Sequence, residues 1–161
     1  QCAEDLGLDD TSVDMKYMIH AIHASGAIEV PYEVCGFGNS THVYDFAYPG
    51  KLNNCEGCHV PGGYYPVDPA AVLGTTVDVG TDVASPTDDT VVSPNTSVCS
   101  SCHTSDLAAN HMVQNGGDFN ATKAADSTLI SSGVETCQLC HGEGRQSDVK
   151  EAHRIDTFEF N

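Results

Sequence analysis

The chain of 161 residues is long enough for one compact unit, and its 23 Asp and Glu against 6 Lys and Arg leave a formal net charge of −17. Such a surface argues against nucleic acid as a partner, because phosphate is neutralised by cations, and against rest on an anionic membrane face; it suits a soluble protein in an extracellular or high-salt setting. Trp is absent and aromatic residues make up 7% of the chain, so side-chain packing alone builds a thin core, and disulfides, metals or cofactors are expected to act as staples.

The sequence begins at Gln1, which fits a mature exported chain and fits a fragment of something longer equally well, and no apolar run is long enough to span a bilayer. Residues 1–54 read as an N-terminal arm. Within it, residues 12–24 predict a helix capped by Ser12, favoured by Asp14 at its positive end and stopped by Gly26, with Met15, Met18, Ile19, Ile22 and His23 at helical spacing and His20 one turn before His23. A strand follows in which His42, Tyr44, Phe46 and Tyr48 share one face, ended by Pro49-Gly50.

The segment between His59 and Cys99 is rich in Gly, Pro, Thr, Val and Asp and reads as a surface excursion with a small hairpin; Asp78, Asp82, Asp88 and Asp89 read as a solvated acidic loop, since they lack the spacing of a calcium loop. Further on, Ser105 caps a helix that carries His111 and stops at Gly116, residues 120–131 predict a helix ended by Gly133, and a Ser147 cap opens a short helix leading to His153. Asn39, Asn95 and Asn120 match the glycosylation acceptor pattern, a weak pointer to an external location. The tail with Phe158 and Phe160 is expected to dock on its own domain or a neighbour.

Six of the eight cysteines form three pairs with two residues between, each followed at once by histidine: Cys55-Glu56-Gly57-Cys58-His59, Cys99-Ser100-Ser101-Cys102-His103 and Cys137-Gln138-Leu139-Cys140-His141. This is the attachment signature of haem c. Two thiols so spaced can add to the two vinyl groups of one porphyrin, and the next residue then lies under the ring with its imidazole at the iron. Zinc binding, a redox dithiol or a structural disulfide would explain one such pair, but not three with His at the same offset. Cys2 and Cys35 remain and most simply form a disulfide that closes the N-terminal third.

Eight histidines less the three of the motifs leave His20, His23, His42, His111 and His153, more than three irons need for a second axial ligand. Closure of each iron by two histidines suits electron transfer, whereas a catalytic haem keeps a position open. His20, His23, His111 and His153 lie on helices that give each imidazole an inner face and are the ligand candidates. His42, in an aromatic stripe, is held in reserve.

These residues resemble the pentahaem modules of the outer-membrane decahaem cytochromes of metal-reducing bacteria. The likeness lies in Met18-Ile19-His20-Ala21-Ile22-His23, in the run from Tyr48 through His59, in His111-Met112 with Gly116-Gly117, and in the run from Glu135 through Arg145 with Asp148-Val149 and His153. The resemblance implies bis-histidine haems in a closely spaced row that serves extracellular acceptors or other cytochromes, with distal roles for His20, His23, His111 and His153. The family module opens with two further CxxCH motifs that this chain lacks, so four distal histidines face three haems; one is left over, or it reaches a haem in an adjacent subunit of a polymeric wire.

The expectation is therefore a single trihaem cytochrome c domain over 1–161, with the N-terminal arm in 1–54 and three motifs in 55–161, mostly irregular with a few short α-helices and minimal β structure, organised around a haem row. It is expected to be exported to the cell surface or beyond, or to the periplasm. It is expected to carry electrons and not to be an enzyme. The rival readings are a multihaem oxidoreductase with one open iron, an electron-transfer fragment of a larger outer-membrane cytochrome, and a structural filament subunit.

Overall fold

A computed structural model describes residues 12–36, 40–65, 68, 72–78, 80–129 and 133–155. The expected first helix is α1 (Met15–Ala24), and its cap is Asp14, not Ser12: the Asp14 carboxylate accepts the Lys16 amide at 2.8 Å. A carboxylate is the stronger acceptor for the unpaired amides of a helix start. Ser12 instead ties the helix entry to a strand, donating its hydroxyl to the Thr76 carbonyl at 2.7 Å and accepting the Asp14 amide at 3.1 Å. The residues that α1 buries are Ala21 and Ala24, while Met15 is 69% and Ile19 38% exposed.

β1 (Tyr32–Gly36) and β2 (Ser40–Tyr44) pair antiparallel, Tyr32 opposite Tyr44 and Cys35 opposite Thr41. The strand ends at Tyr44, so Phe46 and Tyr48 lie beyond it and the four-residue aromatic face does not form on one strand. The reason lies in α1: the Ser25 hydroxyl at its end donates to the Phe46 carbonyl at 3.2 Å and draws this segment away from the ribbon.

β3 (Thr75–Asp78), β4 (Thr90–Val92) and β5 (Ala121–Thr122) form a three-stranded antiparallel sheet in that order. The predicted hairpin is there, and its connecting loop is exposed, as at Val83, but its strands are not on the surface: Thr75 and Val91 have no solvent exposure. β5 and a bridge between Lys123 and Leu129 stand where a helix was predicted for residues 120–131. Asp126 defeats the helix locally: its carboxylate accepts both the amide and the hydroxyl of Thr128, at 3.1 and 2.7 Å, and Ser127 takes φ 67° in the resulting turn. Lys123 Nζ then joins the sheet at one point, reaching Asp89 at 3.0 Å and Thr76 Oγ1 at 2.6 Å.

The remaining helices are short: α2 (Pro94–Cys99), α3 (Asp106–Gln114), α4 (Gln138–His141) and α5 (Val149–Ala152). α3 starts as predicted, with the Ser105 hydroxyl accepting the Ala108 amide at 3.2 Å. α5 is capped by Asp148 and not Ser147, the carboxylate accepting the Lys150 amide at 2.8 Å. Among the described residues the buried apolar side chains are few and mostly small, and Ser93, Thr96, Ser97 and Ser101 are buried beside them. Their hydroxyls are all hydrogen-bonded, as burial requires. Asn95 is buried too, with its side-chain amide donated to Glu135, so it is closed to glycosylation in the folded chain. Asn39 and the Phe158–Phe160 tail lie outside the described residues.

Candidate functional site

The three CxxCH segments adopt one turn. In each, the fourth residue donates its amide to the carbonyl of the first at 3.2 Å, and the histidine donates to that same carbonyl at 2.9 Å. The residues between the cysteines differ in all three, so the shared turn belongs to the spacing and not to the local sequence. One helical turn places the first thiol and the imidazole on the same side. All six motif cysteines are free, whereas Cys35 is disulfide-bonded; its expected partner, Cys2, lies outside the described residues.

Each motif histidine faces one histidine from elsewhere in the chain. His59 faces His20 of α1 at 6.1 Å between ring centroids, His103 faces His153 at the end of α5 at 6.0 Å, and His141 faces His111 of α3 at 6.0 Å. The ring planes differ: 18° apart for the first pair, 74° and 86° for the others. His153 Nδ1 lies 2.8 Å from the Val149 carbonyl and His141 Nδ1 3.0 Å from the Ser147 carbonyl. A backbone partner at Nδ1 fixes the tautomer and leaves Nε2 as the metal-binding nitrogen.

The other two histidines are placed differently. His23 Nδ1 is 2.6 Å from the Ile19 carbonyl, and its ring meets Tyr48 edge-on with centroids 4.8 Å apart. His42 lies on β2 with Nε2 3.1 Å from the Ser40 hydroxyl.

Burial pushes the His20 imidazole below its ordinary value, the facing His59 adds to this, and the Lys16 carbonyl one turn back opposes it. His20 Nδ1 is the buried side-chain nitrogen left without a hydrogen-bond partner among the described residues. His103 is lowered first by burial and then by His153 and His141. Both shifts favour the neutral imidazole, the form that ligates a metal. Burial, followed by Cys137, Glu135 and Cys102, pushes the Cys99 thiol up to about 11. A cavity of about 400 Å³ opens beside His103, with Tyr17, Ala21, Tyr32 and Phe119 in its walls. Free paired thiols, neutral imidazoles facing one another across a gap and apolar walls fit haem c.

The second motif lies between the other two. The Cys102 thiol is 3.9 Å from the His20 carbonyl, on the helix that serves His59, while Cys137 and His141 of the third motif are near enough to act on Cys99 and His103.

Two carboxylates, Glu135 and Asp148, lie in segments that carry the family resemblance, but the sequence assigned them no role in positioning the site. Glu135, two residues before Cys137, caps α2 from outside, accepting the amides of Asn95 and Thr96 at 2.7 and 2.8 Å. Asp148 accepts the Tyr65 hydroxyl at 2.5 Å, the Gly144 amide at 2.6 Å and the α5 amide of Lys150, joining the third motif's loop to the helix that ends in His153. Glu135 with Asn95 and Thr96, and Asp148 with Tyr65, act on partners far along the chain, which no local pattern announces.

Among the described residues no helix is long and apolar enough to cross a membrane. Comparison with curated proteins and with solved structures found no match. Residues 3–154 match the family described as outer membrane cytochrome MtrC/MtrF-like, domains II/IV. With nearly its whole length matched, the chain belongs to that family of outer-membrane multihaem c-type cytochromes, which transfer electrons with other cytochromes at the cell surface.

Proposed function

We propose that this chain carries three covalently attached haems c, each closed by two histidines, and that it conducts electrons between exposed cofactor edges without transforming a substrate. The carrying observation is the set of three histidine pairs, each joining one motif histidine to one other, all at 6.0 or 6.1 Å. Two imidazole–metal bonds of about 2 Å each, with a ring radius added on either side, produce a separation of roughly this size. Ordinary aromatic pairs span the same range, but chance packing would not match each motif to a different partner.

Haem c supplies a reversible one-electron iron couple, whose potential the axial ligands and surroundings tune. Cys55 and Cys58, Cys99 and Cys102, and Cys137 and Cys140 hold the three groups as thioethers. His59, His103 and His141 serve as proximal ligands, and His20, His153 and His111 as their distal partners. Exposed apolar side chains beside these residues, Met15 on α1, Leu107 on α3 and Leu139 within the third motif, are surfaces that a porphyrin would cover. The position of the second motif between the others supports a row in chain order. Pairing within the chain on both sides of every iron leaves no position open for small-molecule chemistry, which favours conduction over the oxidoreductase reading.

His23 supports an extension of this reading to a polymeric wire. Its Nδ1 is anchored one turn back, as that of His153 is, yet among the described residues its ring meets Tyr48 and no imidazole. It is therefore free to serve an iron outside the chain in an assembly of cytochromes.

Mass spectrometry of the purified chain tests the haem count, with a gain of three haems over the polypeptide expected. The reduced protein is expected to show a low-spin spectrum that carbon monoxide does not change. A colourless protein, or one that takes up carbon monoxide, refutes the proposal, and electron micrographs of native material decide between filament and single molecule.

A further inference from the structure

We propose that Glu135 is a positioning residue for the second and third haem sites, its carboxylate fixing α2 relative to Cys137 while its charge, held between the two attachment points, favours the oxidised state of both irons. The inference rests on the haem reading above.

Glu135 receives five hydrogen bonds. Oε1 accepts from the Ser93 hydroxyl at 2.8 Å, the Thr96 amide at 2.8 Å and the Thr96 hydroxyl at 2.7 Å, and Oε2 accepts from the Asn95 amide at 2.7 Å and its side-chain nitrogen at 2.9 Å. All three donor residues stand at the start of α2, whose last residue is Cys99. Glu135 itself precedes Cys137 by two residues, and Thr136 between them donates its amide to the Asn115 carbonyl at 2.9 Å, just past the α3 helix of His111. One side chain thus ties the attachment of the second haem to the attachment and distal ligand of the third.

The same geometry keeps the group charged. Burial alone would push the carboxyl up, yet the donors from Asn95, Thr96 and Ser93 outweigh it and hold it below its ordinary value. Glu135 acts on the Cys99 and Cys137 thiols as a nearby negative charge. An anion at this place stabilises ferric over ferrous iron, and the half-buried setting screens it less than water would. The first motif lies outside the reach of this carboxylate: the negative charge that acts on Cys55 is its own neighbour Glu56, not Glu135.

The test is a redox titration of the full haem-loaded chain carrying Glu135→Gln, with the three couples resolved by NMR. Two of the three one-electron equilibria are expected to shift toward the reduced state by tenfold or more, about 59 mV for one electron, while the third stays put. Equal shifts in all three couples, or none, overturn the proposal. Should this variant assemble fewer than three haems, Thr96→Val removes a single donor and leaves the charge less neutralised. The same two couples are then expected to move the opposite way at neutral pH, and unmoved couples sink the idea. Absence of haem from the unsubstituted chain refutes the haem reading itself and is seen before any variant is made.

Discussion

His20 and His59 face each other with ring planes 18° apart, whereas His103 and His153, and His111 and His141, cross at 74° and 86° with the same separation. The three distal residues stand on different helices: His20 within α1, His111 within α3, and His153 at the C-cap of α5. Near-parallel imidazoles split the two iron orbitals that they meet, while crossed imidazoles leave them almost equal in energy. The oxidised protein is therefore expected to give one ordinary rhombic low-spin electron paramagnetic resonance signal and two strongly anisotropic ones. Three signals of one kind would contradict these ring orientations.

Replacing a distal partner opens one iron and leaves the others closed. His20→Ala, His111→Ala and His153→Ala are each expected to let one haem in three bind carbon monoxide, with a matching high-spin component in the oxidised spectrum. His23→Ala is expected to bind none as an isolated chain. If His23→Ala instead opens an iron while His20→Ala does not, the assignment of the α1 ligand is reversed.

Acid should release the His103–His153 pair as Asp148 loses its charge. The Tyr65 hydroxyl and then the Gly144 amide hold the Asp148 carboxyl below its ordinary value. A folded value lower than the unfolded one means that the stabilisation is in place above the unfolded value and is lost as pH falls through the folded one. Below that point α5 loses its cap and His153 its anchor. An acid titration followed by absorption is expected to show one haem changing spin state with the protonation of Asp148, and Asp148→Asn to weaken the same haem already at neutral pH; an acid transition left unchanged in the variant would contradict this.

Gly117 lets three segments meet. A side chain there would run into the Thr96 hydroxyl of α2 and come 2.8 Å from the Met112 carbonyl of α3. Its neighbour Gly116 turns the chain at φ 88°, against the Val134 carbonyl. Gly117→Ala is expected to cost about 1–3 kcal/mol in thermal unfolding through overpacking. It should also disturb the second and third haem spectra more than the first, and a stability equal to that of the unsubstituted chain would show that the contact is slack.

The motifs were legible because their chemistry is local. Two thiols and an imidazole within five residues need only one backbone turn, and the three copies fold alike whatever lies between the cysteines. The helix of residues 106–114 was legible for the same reason, since its Ser105 cap, its length and its Gly116 stop are all neighbours in sequence. Where the reading missed, a distant partner had intervened. Ser12 left the α1 cap to Asp14 because Thr76 claimed its hydroxyl, the aromatic strand ended at Tyr44 because Ser25 drew in Phe46, and the segment taken for a surface loop became the centre of the sheet through Thr75 and Val91.

By itself, then, the sequence determined that six cysteines and three histidines stand in three copies of the haem c attachment pattern, and it narrowed the histidines that could face them to a handful. Only the tertiary structure decided which of those histidines faces which motif, that His23 faces none, and that Glu135 and Asp148 lock the arrangement. Thioether attachment depends on spacing along the chain, which sequence states outright. Axial pairing depends on how helices far apart in sequence are brought together, and that is set by buried hydrogen bonds between residues whose separation along the chain carries no pattern.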